Sequence, residues 1–274
     1  MISGELLQSL TQISFCTERN CIIDDQVKRL NQNLHIINDF PAEEIKKYNT
    51  VFIYSHYVRD FFNKFSNHLN DNTVIVTHNS DECVDSRYIE YLNSSKIKKW
   101  FCQNRYITHE KLFSLPIGVA NSQWPHGNME TIKKVSSKNN KKEFLVYKNY
   151  DIGTNINKRT VINNITNRNG IQMDRNRTFE EYLDTISKSL FVISPPGNGV
   201  DCHRIWECLS LKTIPIVEDH ECFNQYKHLP ILFIKDWNEV TIEFLRKNTE
   251  MINMFNNKIN ELDLNYWREQ LCTE

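Results

Sequence analysis

The chain reads as an α/β protein built on parallel sheets, and three observations carry that reading. Short apolar runs at 51–54, 74–76, 190–193 and 214–217 fit strands covered on both faces. These runs alternate with longer stretches of helical apolar spacing, such as 58–69 and 178–188. The densest stretch, 191–217, passes from strand through a glycine turn to helix and second strand without interruption, as the crossover between parallel neighbours requires.

Within that stretch, Ser194, Pro195, Pro196, Gly197, Asn198 and Gly199 form a breaker-rich turn in which prolines stop the strand and glycines permit close backbone approach. Asp201 is the expected N-cap of the following helix, where Ile205, Trp206, Cys208, Leu209 and Leu211 recur at helical spacing. The helix N-terminus then aims its unbonded N–H groups beyond the strand's carboxyl end, a place that suits a diphosphate. His203 and Arg204 fall in the first turn, where Arg204 offers a planar two-pronged donor. Glu207, one turn beyond His203, is spaced to accept hydrogen bonds from ribose hydroxyls. The same residues also suit an ordinary strand-turn-helix with Arg204 and Glu207 as a surface ion pair, because fold alone does not carry function.

Taken in order, residues 1–45 contain weak strand signals at 13–15 and 34–37. Residues 51–54 form a stronger strand and 58–69 a helix. The strand at 74–76 delivers His78, Asn79, Ser80 and Asp81 to its carboxyl end, where open α/β sheets place ligand-handling residues. Strands at 97–101 and 112–116 lead into a loop containing Trp124 and His126. Polar, lysine-rich residues 128–142 are the expected linker. Residues 144–147 open a second domain, and Thr154 and Asn155 precede a helix carrying Arg159 near its start. Phe179, Tyr182, Leu183 and Ile186 mark the buried stripe of the helix at 178–188. A strand at 229–234 and helices at 240–245 and 251–271 complete the chain. The expected division is 1–128, 129–250, and a closing helical segment 251–274.

The 274 residues suffice for two moderate domains. With 33 Lys+Arg against 34 Asp+Glu, nothing global favours a nucleic-acid or acidic-membrane partner. The N-terminal residues lack signal-peptide character and no stretch has membrane-span composition, so the expected location is cytoplasmic. Three triplets, at Asn93, Asn164 and Asn176, match glycosylation acceptors and are expected to stay unmodified. The eight cysteines lack paired short spacings, which favours reduced, mostly buried thiols over a zinc site built from Cys202, His203, Cys208, His220, Cys222 and His228.

The run SPPGNGVDCHRIWECLSLKTIPIV at 194–217 resembles the donor-binding signature of exostosin-like inverting glycosyltransferases. Further matches are VTHNSD at 76–81, WFCQN at 100–104, LPIGVANSQWPHG at 115–127 and YKNYDIGTNINKR at 147–159, in collinear order over most of the chain. The pattern is most similar to the branch containing xylosyltransferases of the Golgi and of large DNA viruses. Cellular relatives are usually membrane-anchored; the lack of an anchor-like stretch here suggests either a cytosolic enzyme or a sequence from which an anchor has been trimmed.

The resemblance implies the GT-B fold: two Rossmann-like domains with parallel sheets facing a central cleft, and a closing helix that crosses back to the first domain, anchored by Tyr266 and Trp267. It implies a nucleotide-sugar donor, with UDP-xylose the expected one, a glycan acceptor and a β-linked product. It assigns Thr154, Asn155 and Arg159 to donor binding beside Ser194, Pro195, Gly197, Asn198, Gly199, His203, Arg204 and Glu207, and places Trp124 and His126 at the acceptor. Trp124 fits a sugar-facing surface or a packing wedge, and Arg159 a phosphate contact or a solvated basic turn.

An inverting transfer needs a group to take the proton from the attacking hydroxyl. Asp81 is the choice for that role, with an N-cap for the helix that follows as the alternative; His78 is the rival base and Glu82 a weaker one. No D-x-D triplet occurs, which favours leaving-group stabilisation by protein groups with no metal or other cofactor. A catalytically inactive nucleotide-sugar or carbohydrate-binding module is the alternative function. A nucleotide hydrolase or kinase ranks low, because the glycine-rich loop ending in Gly-Lys-Ser/Thr is absent.

Overall fold

Every strand pair in the computed structural model, which describes residues 1–16, 33–175 and 177–272, is parallel. Asn176, the acceptor residue of the third triplet, lies outside the described residues. The chain divides into two units, Ile2–Ile117 with Asn121–Gln123 and Asp263–Glu274, and Trp124–Leu262 with Met1 and Gly118–Ala120.

The first unit holds β1 (Ile13–Cys16), β2 (Leu34–Ile36), β3 (Thr50–Tyr54), β4 (Thr73–His78), β5 (Ile97–Cys102) and β6 (Leu112–Ser114), in the order β2-β1-β3-β4-β5-β6. Successive side chains of a strand point to opposite faces. Val51 and Ile53 enter one core with Phe61, Phe62 and Phe65, whereas Phe52 and Tyr54 enter another with Trp267 and Leu271. Burial on both faces explains why these strands read as unbroken apolar runs. Helix Val58–Phe65 buries Val58, Phe61, Phe62 and Phe65, one stripe at helical spacing, and each fully buried phenylalanine contributes roughly 1.5–3 kcal/mol. The closing helix Leu264–Cys272 belongs to this unit and packs Trp267 against Phe101.

The second unit holds β7 (Phe144–Tyr147), β8 (Ser189–Ile193), β9 (Ile214–Glu218) and β10 (Leu232–Ile234), in the order β10-β9-β8-β7. Phe191 and Ile193 face a core with Ile162 of helix Ile156–Arg168. Val192 faces the opposite one with Leu183, Ile186 and Cys208. Helix Phe179–Lys188 starts on a capping box in which Thr178 and Glu181 satisfy each other's backbone N–H groups.

Several expectations are corrected. The lysine-rich stretch read as a linker is helix Met129–Ser137, capped by Asn128 and packed through Ile132 and Val135. Two apolar residues three apart outweigh the polar composition once a neighbouring helix covers them. Residues 251–271 are not one helix but the 3-10 segments Thr249–Asn256 and Asn260–Leu262 followed by Leu264–Cys272, the first break falling at extended Asn257. The strand expected at 229–234 narrows to β10. Asp201 does not cap the helix after the glycine turn; Cys202 holds that position without a side-chain bond, and Asp201 accepts from the indole N–H of Trp206 at 2.8 and 3.0 Å instead. Cys16 is disulfide-bonded, against the expectation of reduced thiols throughout, whereas Cys83, Cys102, Cys202, Cys208 and Cys222 are free. No helix among the described residues is long and apolar enough to cross a membrane.

Candidate functional site

In the second unit the glycine turn is built directly on the start of helix Ile156–Arg168. β8 keeps one more ladder bond, Ser194 N to Ile216 O at 3.0 Å, and then Pro195 and Pro196, which have no N–H, end the pairing. The turn closes on Gly197 N to Gly199 O at 3.0 Å. Asn155, the N-cap of helix Ile156–Arg168, donates its side-chain amide to Gly197 O at 2.7 Å. Arg159 donates Nε to Pro196 O at 2.9 Å and Nη1 to Asp151 O. A Cβ on Gly197 would meet Arg159 Nη2 at 3.4 Å and Thr154 Cγ2 at 3.6 Å, so those side chains lie immediately under the turn. Thr154, Asn155 and Arg159 therefore lie against the turn at Pro196 and Gly197, with Asn198 exposed at its tip, whereas Ser194 and Pro195 are buried beneath it.

Arg204 completes it. Its guanidinium lies 5.9 Å from the ring centre of Tyr150 and 6.0 Å from that of Tyr182, and Arg159 lies 5.5 Å from the same Tyr150 ring. Arg204 Nε is buried without a hydrogen bond, and the Arg204 guanidinium makes no hydrogen bond or ion pair with any described residue. A buried polar group left open in this way points to a missing partner. Burial, and then the neighbouring Arg204, pull Arg159 below its ordinary value. For Arg204, burial opposes the charge but Tyr182, Cys202 and Glu207 outweigh it and hold the value up. Both groups are cations throughout the working range, so the turn presents two positive charges with no carboxylate bonded between them.

Glu207 is not a solvent-facing acceptor: it is 3% exposed, and its Oε2 accepts from the Tyr182 hydroxyl at 2.9 Å. Burial raises its carboxyl, against the pull of Arg204 and the Tyr182 bond. Burial also pushes the Tyr150 phenol up to about 12. His203 donates Nδ1–H to the carbonyl of Gly118 at 2.8 Å, which leaves its lone pair on Nε2. Its ring lies 6.3 Å from that of His126, and His126 lies 6.3 Å from Trp124 with the planes only 18° apart. Trp124 is 55% exposed, so this row of rings is a surface shelf and not a packing wedge.

The first unit carries the other two candidates at the end of β4. His78 is 2% exposed; it donates Nε2–H to Pro116 O at 3.0 Å and accepts the Asn79 N–H on Nδ1 at 2.8 Å. A carbonyl can only accept, so Nε2 carries the proton toward Pro116, and Nδ1 is enclosed by Asn79, whose Oδ1 lies 3.0 Å from it beside the N–H; both nitrogens are committed. Burial lowers its value as well. Asn79, in the left-handed region at φ 61°, turns the chain outward. Asp81 follows, exposed, with its carbonyl accepting from Asn104 at 3.3 Å. Asp81 does not cap the next element, whose N-cap is Asp85.

The zinc candidates disperse: Cys208 lies in the core, His228 bonds Glu261 at 2.9 Å and His220 caps Glu221–Tyr226. Sequence reasoning missed Tyr150, and took Tyr182 only for a core residue. The signal for Tyr150 was its place just past the carboxyl end of β7, the same sheet edge as the glycine turn.

An alignment 92 positions long, covering 28% of this chain and 21% of the relative, is 28% identical to ribitol-5-phosphate xylosyltransferase 1 of Homo sapiens. The match thus covers about a fifth of that relative's length. Residues 122–271, more than half of the chain and inclusive of the glycine turn and both arginines, match the family model described as RXYLT1 C-terminal domain. On that extent of agreement, the chain belongs to the family of the RXYLT1 C-terminal domain.

Proposed function

We propose that the protein is an inverting glycosyltransferase that moves xylose from UDP-xylose to an acceptor hydroxyl on a glycan, and that its two parallel-sheet units are the acceptor and donor halves of a GT-B enzyme. The carrying observation is the pair of arginines on Tyr150, one tied to the glycine turn and the other open. Two adjacent cations at a strand end, above an N-terminus with no side-chain cap, fit a diphosphate. The name of the human relative, which acts on ribitol-5-phosphate, supports xylose as the donor sugar.

In this reading Asp81 takes the proton of the acceptor hydroxyl. The oxygen forms a bond to the anomeric carbon from the face opposite the diphosphate. The bond from that carbon to the diphosphate oxygen breaks with its electron pair leaving on UDP, and an α-linked donor gives a β-linked product. Arg159, Arg204 and the first N–H groups of helix His203–Ser210 stabilise the charge that develops on the leaving oxygen. His78, with both nitrogens occupied, shapes the strand end and does not take the proton. The Trp124–His126 shelf receives the acceptor sugar.

The test is UDP release by the purified protein across a panel of nucleotide sugars, with Asp81→Asn and Arg204→Ala alongside. Turnover is expected with UDP-xylose and falls by about 100-fold or more in Asp81→Asn. Nucleotide binding without release of UDP would assign the chain to a non-catalytic binding module, and an Asp81→Asn variant as fast as wild type would remove the base assignment.

A further inference from the structure

Arg204 and Glu207 stand three residues apart in one helix, a spacing at which opposite charges ordinarily meet. They do not meet here. Glu207 is turned to the neighbouring helix Phe179–Lys188, where the Tyr182 hydroxyl bonds its Oε2 at 2.9 Å, while the ring of the same tyrosine flanks the Arg204 guanidinium. One side chain thus touches both members of an ion pair that has not formed.

We propose that Tyr182 is a positioning residue: by holding the Glu207 carboxylate away from Arg204, its hydroxyl keeps that cation open for the diphosphate of the donor. The inference rests on the donor-site reading above. A buried carboxylate without a hydrogen bond is costly, so removal of the hydroxyl drives Glu207 to another donor. Arg204 is the cation whose charge Glu207 feels among the described residues, and its fork matches a carboxylate in a two-bond pair. That pair would neutralise the group left open in the native arrangement. Burial holds the Tyr182 phenol well above its ordinary value, so the hydroxyl is a permanent donor over the working range. Tyr182→Phe keeps the ring and the packing volume, and so isolates the hydroxyl.

The experiment titrates UDP, and separately inorganic pyrophosphate, which has no ribose, into wild type, Tyr182→Phe, Glu207→Gln, the double variant and Arg204→Ala, with thermal melts to confirm that each is folded. Tyr182→Phe is expected to weaken both ligands by about tenfold, and the same change is expected to have no effect in the Glu207→Gln background, where no carboxylate remains to compete. A merely structural tyrosine would give the same loss in both backgrounds. Binding by Tyr182→Phe equal to wild type, or a penalty that persists with Glu207→Gln, overturns the proposal while Arg204→Ala still abolishes binding. Arg204→Ala binding as well as wild type overturns the donor-site reading, and the role of Tyr182 with it.

Discussion

Arg159 and Arg204 hold their guanidinium groups over a single phenol ring, that of Tyr150, at 5.5 and 5.9 Å from its centre. Two like charges on one ring repel, and the attraction of the ring face for each offsets part of that cost. The arrangement persists because Arg159 is tied to the carbonyls of Pro196 and Asp151, whereas Arg204 is held by rings alone. An anion bound between them would remove the repulsion.

Arg159→Lys tests the tied member. A lysine is a point donor and cannot bond two carbonyls in the arginine's fork geometry. Loss of one charge-assisted bond, about 1.5 kcal/mol, is expected to weaken UDP binding by about tenfold, read by calorimetric titration. An unchanged affinity would show that the turn holds its shape without Arg159.

Asp201→Ala tests the correction at the helix start. Trp206 is fully buried and its indole N–H bonds both Asp201 oxygens. Without that acceptor the N–H is stranded, at a cost of about 1–3 kcal/mol in denaturant unfolding, and Asp201→Asn, which retains one acceptor oxygen, should lose less. A capping role alone would leave Asp201→Asn as stable as wild type, because asparagine caps as well as aspartate, so a measurable loss in Asp201→Asn marks the indole bond.

Gly4→Ala tests a close approach in the first unit. A Cβ there would fall 1.8 Å from Asn79 Oδ1 and 2.7 Å from His78 Nδ1, and Asn79 is held by the Asn121 amide at 3.2 Å. The alanine variant is expected to lose about 1–3 kcal/mol by overpacking, measured as a lowered denaturation midpoint. It should also slow UDP release, since Asn79 sets the turn that carries Asp81.

The pH dependence of stability follows from two lysines. Lys148 is 1% exposed and donates to Thr166 Oγ1 and Asn167 Oδ1 at 2.9 and 2.6 Å; Lys142 donates to Ser187 O and Thr213 Oγ1 at 2.9 and 2.7 Å. Burial pulls each down to about 8. The unfolded chain then binds these protons more readily than the folded one, so stability rises as pH climbs from about 8 toward the ordinary lysine value. Burial pushes Tyr147 and Tyr150 up to about 12, so the unfolded chain loses phenol protons first and stability falls again above about 10. Melting temperatures should climb between pH 8 and 10, and Lys148→Met should flatten that climb.

Chelation tests the source of positive charge at the leaving group. Two arginines and a helix N-terminus are sufficient in kind to stabilise a departing diphosphate, so UDP release is expected to survive EDTA. Complete loss that only manganese or magnesium restores would place a cation in the reaction.

Much of the architecture was legible before folding was considered, because its signals are local. The apolar runs of β3, β4, β8 and β9, the helix face at Phe61, Phe62 and Phe65, and the proline and glycine punctuation at 195–199 each announce themselves within a few residues. Capping is intermediate. Thr178 with Glu181 carries its own signature, whereas Asp201 has the right chemistry at the right place and was claimed by an indole five residues on.

By itself, then, the sequence determined the alternation of strand and helix, the breaker-rich turn, and the residue types gathered near it. The tertiary structure alone decided which partners those residues take. Arg204 is left without a partner because Tyr182, 22 positions earlier, occupies Glu207, and His78 is spent on Asn79 and on Pro116, 38 positions away. Periodicity and turn chemistry are set by neighbours along the chain. Hydrogen-bond pairing inside a packed core is settled by whichever donor and acceptor the folded elements bring together, and for Tyr182 with Glu207 or His78 with Pro116 no short window of sequence contains both.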